Sequence, residues 1–258
     1  MPLTWPDYYS VREHLRRQKT LRLLLAQVRH FMLAGPLRPA LVAYYRAVTR
    51  VTPIPTNTLP DVEPFSPTQA VRALEAHGFA AGVQVTSACV DKLLACYKTN
   101  PVQSYDNPHH DHDFITQLAY NDRLVTVARL YLRAEPIFLS SRLHCYMPGR
   151  SNNPTYFHFD VGDMLSLSFF VFLTDVDDAQ AVTHQVVAGT HKTKTLQELW
   201  TRRLDDEQAY ARYPGHVHTI MGKRGTAWFE DTQAFHKHGY VGKCRRAFLV
   251  QYALRRQR

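Results

Sequence analysis

His158-Phe159-Asp160 places an imidazole and a carboxylate two residues apart. On a strand, residues i and i+2 point to the same face, so the two groups converge on one point and make two thirds of a metal site. A triad of two histidines and one carboxylate needs one more His from a different strand. It leaves about three octahedral positions open for a co-substrate and oxygen. The C-terminal region offers that His as His236, at the end of a strand-like run that starts at Gly225 and passes through Asp231 and Thr232; His238 is the rival. His109-His110-Asp111-His112-Asp113 looks metal-binding by composition. Neighbours in an irregular loop do not project to one point, however, so it reads as a polar loop near the mouth of a pocket.

These residues must be held by strands. Thr155-Tyr156-Phe157 leads into His158, and residues 165–173 follow, rich in the β-branched and aromatic types that suit a pleated buried surface, with Asp177-Asp178 as the closing turn. Residues 136–145 read as the strand entering the β core and Asn152-Asn153-Pro154 as its turn into the next, with further strand over 215–221, 227–229 and 245–252. Helices come mainly earlier: 66–78, with Ser66 as N-cap, Pro67 at the first helical position and Gly78 as C-cap, then 87–97 and 122–132. Residues 195–213 read as a charged helical insertion able to cover the site. The pattern predicts a mainly β fold with flanking helices, built on a double-stranded β-helix (jelly-roll, cupin-like) core whose two sheets form a pocket open at one end.

At 258 residues the chain can build one substantial core. Residues 1–60 read as a basic helical extension and proline-rich linker, and 61–258 as the jelly-roll domain. Within the extension, residues 11–33 carry apolar residues at helical period with arginines interleaved, stopped by Gly35-Pro36, and a second helix is expected over 39–51. No apolar run reaches the roughly 18 to 20 residues of a membrane span, and the N-terminus has no signal-peptide core. Cys89, Cys96, Cys145 and Cys244 lack C-x-x-C spacing and read as buried thiols of a cytoplasmic protein. Much of the net charge of +9 sits at the ends, as in Arg16, Arg17, Lys19, Arg22, Arg255 and Arg256. That is a basic arm and tail rather than a patterned groove. The N-terminal helix is expected to dock on the core, with contact to nucleic acid or a membrane surface as the sharper but less favoured alternative, and an acidic or phosphorylated small-molecule substrate explains the charge at least as well.

The order His-x-Asp, a gap, His, then Arg resembles the Fe(II)- and 2-oxoglutarate-dependent dioxygenases, and among them the phytanoyl-CoA dioxygenase-like family. The likeness covers residues 65–253. It is sharpened by the Val186-Val187-Ala188-Gly189-Thr190-His191 segment and by Asp231-Thr232 ahead of His236. The resemblance implies the jelly roll, with His158, Asp160 and His236 as ligands of Fe(II) and catalytic residues, and His191 in a structural turn. It also implies 2-oxoglutarate as co-substrate with O2, its far carboxylate held by a buried guanidinium. Arg245 fits the family's Arg-Lys-Ala pattern; the interval from His236 leaves Arg246 open, and Tyr146 or Arg142 on the preceding strand could assist. The implied reaction is hydroxylation of a small molecule coupled to oxidative decarboxylation of 2-oxoglutarate to succinate and CO2. Asp160 favours hydroxylation, since halogenating relatives lack this carboxylate. Two rivals remain: a non-oxidative cupin-like enzyme or sensor holding another divalent metal, and a basic binding module for nucleic acid or membrane.

Overall fold

Side chains alternate across a strand, so a sheet that is covered on both faces must be apolar at nearly every position, and residues 165–173 have that character. The computed structural model describes residue 28 and residues 31–99, 104–146, 156–161, 165–176, 184–238 and 245–254. In chain order the first half holds α1 (Arg38–Val48), α2 (Pro67–His77), β1 (Phe79–Gln84), α3 (Ser87–Thr99), β2 (Ser104–Asp106), α4 (Asp113–Ala119), α5 (Asp122–Leu132) and the long strand β3 (Ile137–Tyr146). The second half holds β4 (Phe157–His158), β5 (Ser166–Phe172), β6 (His184–Val187), α6 (Leu196–Thr201), β7 (Arg203–Leu204), α7 (Asp206–Arg212), β8 (Val217–Ile220), β9 (Thr226–Glu230), β10 (His236–His238) and β11 (Arg245–Ala253). Two sheets form the jelly roll, with orders β1-β9-β5-β11-β3-β2 and β7-β4-β10-β6-β8. Every named pairing is antiparallel.

The outer face of the larger sheet buries Phe169, Val171, Phe229, Phe248, Val250 and Tyr252 in one cluster with Leu74, Leu93, Leu124 and Val125 of the helices. Each such side chain contributes about 1.5–3 kcal/mol on leaving water. Between the sheets, Phe172 and Trp228 of the larger meet Val186 and Ile220 of the smaller. Leu33, Val42, Ile54 and Val62 join the helix-side cluster. The proline-rich stretch is docked there, with the Ile54 N–H donating to Glu135 Oε1 at 3.1 Å and Asn57 bridging to Asn121.

The helix starting at Pro67 is capped as its sequence predicts: Ser66 accepts from the Gln69 N–H, and Gly78 closes it at φ 85°. The 195–213 region departs from the single helical insertion expected. Two capping boxes, Thr195 with Glu198 and Asp205 with Gln208, start two separate short helices, and Arg202 in the left-handed region ends the first. Between them β7 pairs with β4, opposite Phe157 and His158, so the insertion extends the sheet that carries the site. The helix expected over 39–51 ends at Val48. Most of the helix read over 11–33, the turns at Asn152-Pro154 and Asp177-Asp178, Cys244 and the basic tail lie outside the described residues. No helix among those described is long and apolar enough to cross a membrane.

Gly78 ties helix to sheet where no side chain fits. A Cβ there would lie 2.6 Å from His191 Nδ1, on a backbone at φ 85°. Gly78→Ala should therefore lower the unfolding free energy by about 1–3 kcal/mol, read as a reduced urea midpoint at unchanged m; an unaltered midpoint would show that the His191 loop yields freely.

Candidate metal centre

β4 and β10 are neighbours in the smaller sheet, with His158 directly opposite His236. Alternation sorts their side chains: Phe157, Phe159 and Phe235 bury together on the outer face, while the intervening His158, Asp160 and His236 gather on the other. Their ligand atoms all lie within 4.8 Å of one another. His236 Nε2 is 3.9 Å from Asp160 Oδ2, and the two imidazole centroids are 4.5 Å apart. Asp160 lies just past the end of β4, fixed by its N–H donating to the Thr232 carbonyl at 2.8 Å. His236 Nδ1 faces the Ala234 carbonyl at 3.0 Å and His158 Nδ1 the Tyr156 carbonyl at 3.4 Å. A proton on each Nδ1 satisfies those carbonyls and leaves both Nε2 lone pairs for the common point. Burial, with His236 nearby, lowers the His158 pKa to about 4. The residue is then a neutral donor at physiological pH. Two imidazoles, one carboxylate and an open side suit a hard-to-borderline divalent ion such as Fe(II).

Behind the triad stands a residue that belongs to no motif of the sequence. Glu230 is fully buried; it takes hydrogen bonds from His184 Nε2 at 2.7 Å and Trp228 Nε1 at 3.0 Å, and its other oxygen lies 3.6 Å from His236 Nδ1. Burial alone would raise its pKa, but His184, His236 and Trp228 together hold it below the ordinary value. The only signal in the sequence is its alternation with Trp228 on β9, which puts both on the interior face.

The larger sheet supplies the rest. Arg245 and Arg246 begin β11, and alternation separates them: Arg245 is buried inside, while Arg246 is exposed and lies over the Tyr97 ring at 5.3 Å. Arg245 sits opposite Tyr146 in register, with its guanidinium 4.2 Å above that ring and one nitrogen 3.0 Å from His238 Nδ1. His238 Nε2 meets the Tyr146 hydroxyl at 3.1 Å. Burial and the adjacent Arg245 hold the His238 pKa well below its ordinary value. His238 is thus engaged by Arg245 and Tyr146 and is not in the triad. Arg142 does not join this group. It pairs with Leu249, four positions along β11 from Arg245 and so about 13 Å away, and its guanidinium engages Asp106. There it lines a cavity of about 270 Å3 with Asp160, Thr232, Ser140, Ser168 and Gln251. Asp106 and Asn107, just ahead of the histidine-rich loop, line the same cavity. That loop contains a short 3-10 helix, His109 Nδ1 lies 2.7 Å from Ser141 Oγ, and among the described residues it forms no metal cluster. His191 is buried in its turn, where its carbonyl accepts from Arg38 at 2.8 Å, and it stays apart from the triad.

The interior also holds buried polar atoms that lack a hydrogen-bond partner among the described residues: His144 Nε2, His184 Nδ1, Glu230 Oε1 and Thr232 Oγ1. Buried polar atoms are normally satisfied. Glu230 Oε1 is the one with a triad side chain nearby, 3.6 Å from His236 Nδ1.

No protein-family model and no curated protein sequence matches the chain. Solved structures do match. EctD from S. alaskensis, solved with 2-oxoglutarate and 5-hydroxyectoine, is similar at TM-score 0.56 and 18% identity over 79% of this chain and 81% of that one. EvdO2 from Micromonospora carbonacea var. aurantiaca, complexed with 2-oxoglutarate, gives 0.56 and 15% over 75% and 93%. The epimerase SnoN, in complex with Fe3+, alpha ketoglutarate and nogalamycin RO, gives 0.55 and 14% over 72% and 82%. At such identities the likeness establishes the fold, which these 2-oxoglutarate-binding proteins share with the present chain.

Loss of any one of the three side chains should abolish the site. His158→Ala, Asp160→Ala and His236→Ala should each reduce Fe(II) retained after anaerobic gel filtration to background with an unchanged far-UV spectrum, whereas His238→Ala should retain metal; iron lost from His238→Ala but kept by His236→Ala would move the third ligand. A second expectation concerns acid. Burial lowers the pKa of His144, His158 and His191 to about 4, while the unfolded chain titrates near the ordinary 6.5. Between these values the unfolded chain binds more protons, so stability is intact above about pH 6.5 and drains away as pH falls toward 4, by up to the order of 3 kcal/mol per histidine. The melting temperature of metal-free protein should decline through that window, and His191→Asn should remove part of the decline.

Proposed function

We propose that this protein is an Fe(II)- and 2-oxoglutarate-dependent oxygenase of the phytanoyl-CoA dioxygenase-like kind that hydroxylates a small molecule. The observation that carries the reading is the pairing, inside one jelly roll, of the His158, Asp160 and His236 cluster with a buried Arg245. His158, Asp160 and His236 would hold the ion, with Glu230 and the Ala234 carbonyl orienting the His236 ring. Arg245 would take the far carboxylate of 2-oxoglutarate, since a guanidinium pairs with a carboxylate in a bidentate fork. The Tyr146 ring and His238 hold that guanidinium in place. Bound iron and 2-oxoglutarate, with O2, would supply oxidative decarboxylation to succinate and CO2 together with activation of a substrate C–H bond. The chain's own share is to present that bond from the cavity beside Asp160 and to exclude water with the aromatic walls of Phe170, Phe172 and Trp228. Three points support this reading: the donor set, the buried Glu230 beside His236, and the 2-oxoglutarate or iron with which proteins of similar fold were solved. A reducing cytoplasm suits ferrous iron and the buried cysteines Cys89, Cys96 and Cys145.

Anaerobic titration with Fe(II) and then 2-oxoglutarate should produce a weak visible charge-transfer band, and admission of O2 should release succinate. Zinc binding with neither band nor succinate would favour the non-oxidative cupin-like reading. Arg245→Ala should raise the apparent 2-oxoglutarate constant about 100-fold, the equivalent of roughly 3 kcal/mol for a carboxylate buried without its partner. Arg246→Ala should change it less than about two-fold; the reverse ranking would put the other guanidinium inside.

A further inference from the structure

A second and larger cavity, about 790 Å3, lies between α1, the end of α5, the loop that starts at His191 and the first turn of α6. Asp231 lines it, and the next residue, Thr232, lines the cavity beside the triad, so the two spaces lie on either side of one turn. Its charge is lopsided. Arg38, Arg46, Arg133, Lys192 and Lys194 face two carboxylates, Glu75 and Asp231.

Both acids are already engaged, Glu75 by Arg133 at 2.9 Å, and Asp231 by Arg38 at 3.3 Å and the Tyr131 hydroxyl at 2.7 Å. Among the described residues no carboxylate pairs with Arg46 or Lys192. Arg46 instead donates to the Leu132 carbonyl at 2.7 Å, and Lys194 to the carbonyls of Thr190 and Gln233 at 2.7 and 2.6 Å. The crowding registers in both groups. Burial, then Arg133 and Arg38, lower the Arg46 pKa, and burial with Arg38 brings Lys194 to about 7. The rest of the wall is apolar, from Pro39, Val42, Leu165, Leu196 and Leu199. Cations drawn from three separate elements around a mostly apolar cavity of ligand size define a complementary guest.

We propose that this cavity binds a small amphipathic anion, a phosphate monoester carried on an apolar body, at a site separate from the metal centre. The phosphate would take the place of the missing carboxylates opposite Arg46 and Lys192, and the body would cover the apolar wall. A dianionic head matches the excess of cations better than a single carboxylate does.

The test is calorimetric titration of the full chain with octyl phosphate below its micellar concentration, at fixed ionic strength. One saturable site is expected, weakened at least ten-fold in the double variant Arg46→Gln, Lys192→Glu, unaltered in Arg245→Ala, and not competed by octanol. Lys192→Glu alone serves if the double variant does not fold, because Lys192 is exposed. The proposal is overturned by absence of saturable binding to the wild-type chain, by equal binding to the Lys192 variants, or by loss of binding in Arg245→Ala, which would place the anion at the co-substrate end instead.

Discussion

The antiparallel register that sets His158 against His236 is the constraint from which the rest of the site follows. Because the side-chain period of a strand is two, a slip of one residue in either strand would turn its imidazole into the outer apolar cluster and bring its phenylalanine into the interior. The register is protected from both sides. Those aromatic rings are fully buried outside, and β10 is tied on its other edge to β6 through three residue pairs. The short strand β7, supplied by the broken insertion, closes the far edge of β4. Packing that has nothing to do with chemistry therefore sets the geometry of the triad.

Charge inside the roll is arranged by the same economy of partners. A carboxylate as deeply buried as Glu230 is tolerable only with donors on it, and His184 and Trp228 serve that need while turning its second oxygen toward His236. At the other end of the interior, Arg245 keeps its charge among the Tyr146 ring, the Phe172 ring and a neutral His238. The interior is thus anionic at Glu230, behind the triad, and cationic at Arg245.

The turn at Asp231 and Thr232 links this interior to the outer helices. Asp231 is locked by Arg38, Tyr131 and the Gln233 N–H, its own N–H donates to the Gly78 carbonyl, and Thr232 holds the Asp160 N–H. Helix α1 therefore bears on the carboxylate of the triad through a chain of hydrogen bonds. This gives a physical role to residues that their composition alone marks as a basic extension.

Much of the fold was legible because it rests on local rules. The β5 run and the capped helix from Pro67 follow from periodicity and capping chemistry, and the structure has both; His158 and Asp160 do share a face, but Asp160 lies past the two-residue strand β4 and is set by its bond to Thr232. The choice between Arg245 and Arg246 needed the facing direction of β11, which adjacent arginines cannot reveal. Likewise His236 and His238 share one face of β10, and only their neighbours across the sheets, His158 for one and Arg245 with Tyr146 for the other, separate their positions. Arg142 alternates correctly with Tyr146 but lies too far along β3 to meet Arg245. Glu230, His184 and the basic cavity were invisible for the same reason. Their meaning lies in long-range contacts between elements far apart in the chain, and such contacts are decided by which sheets face each other, not by the spacing of residues along one of them.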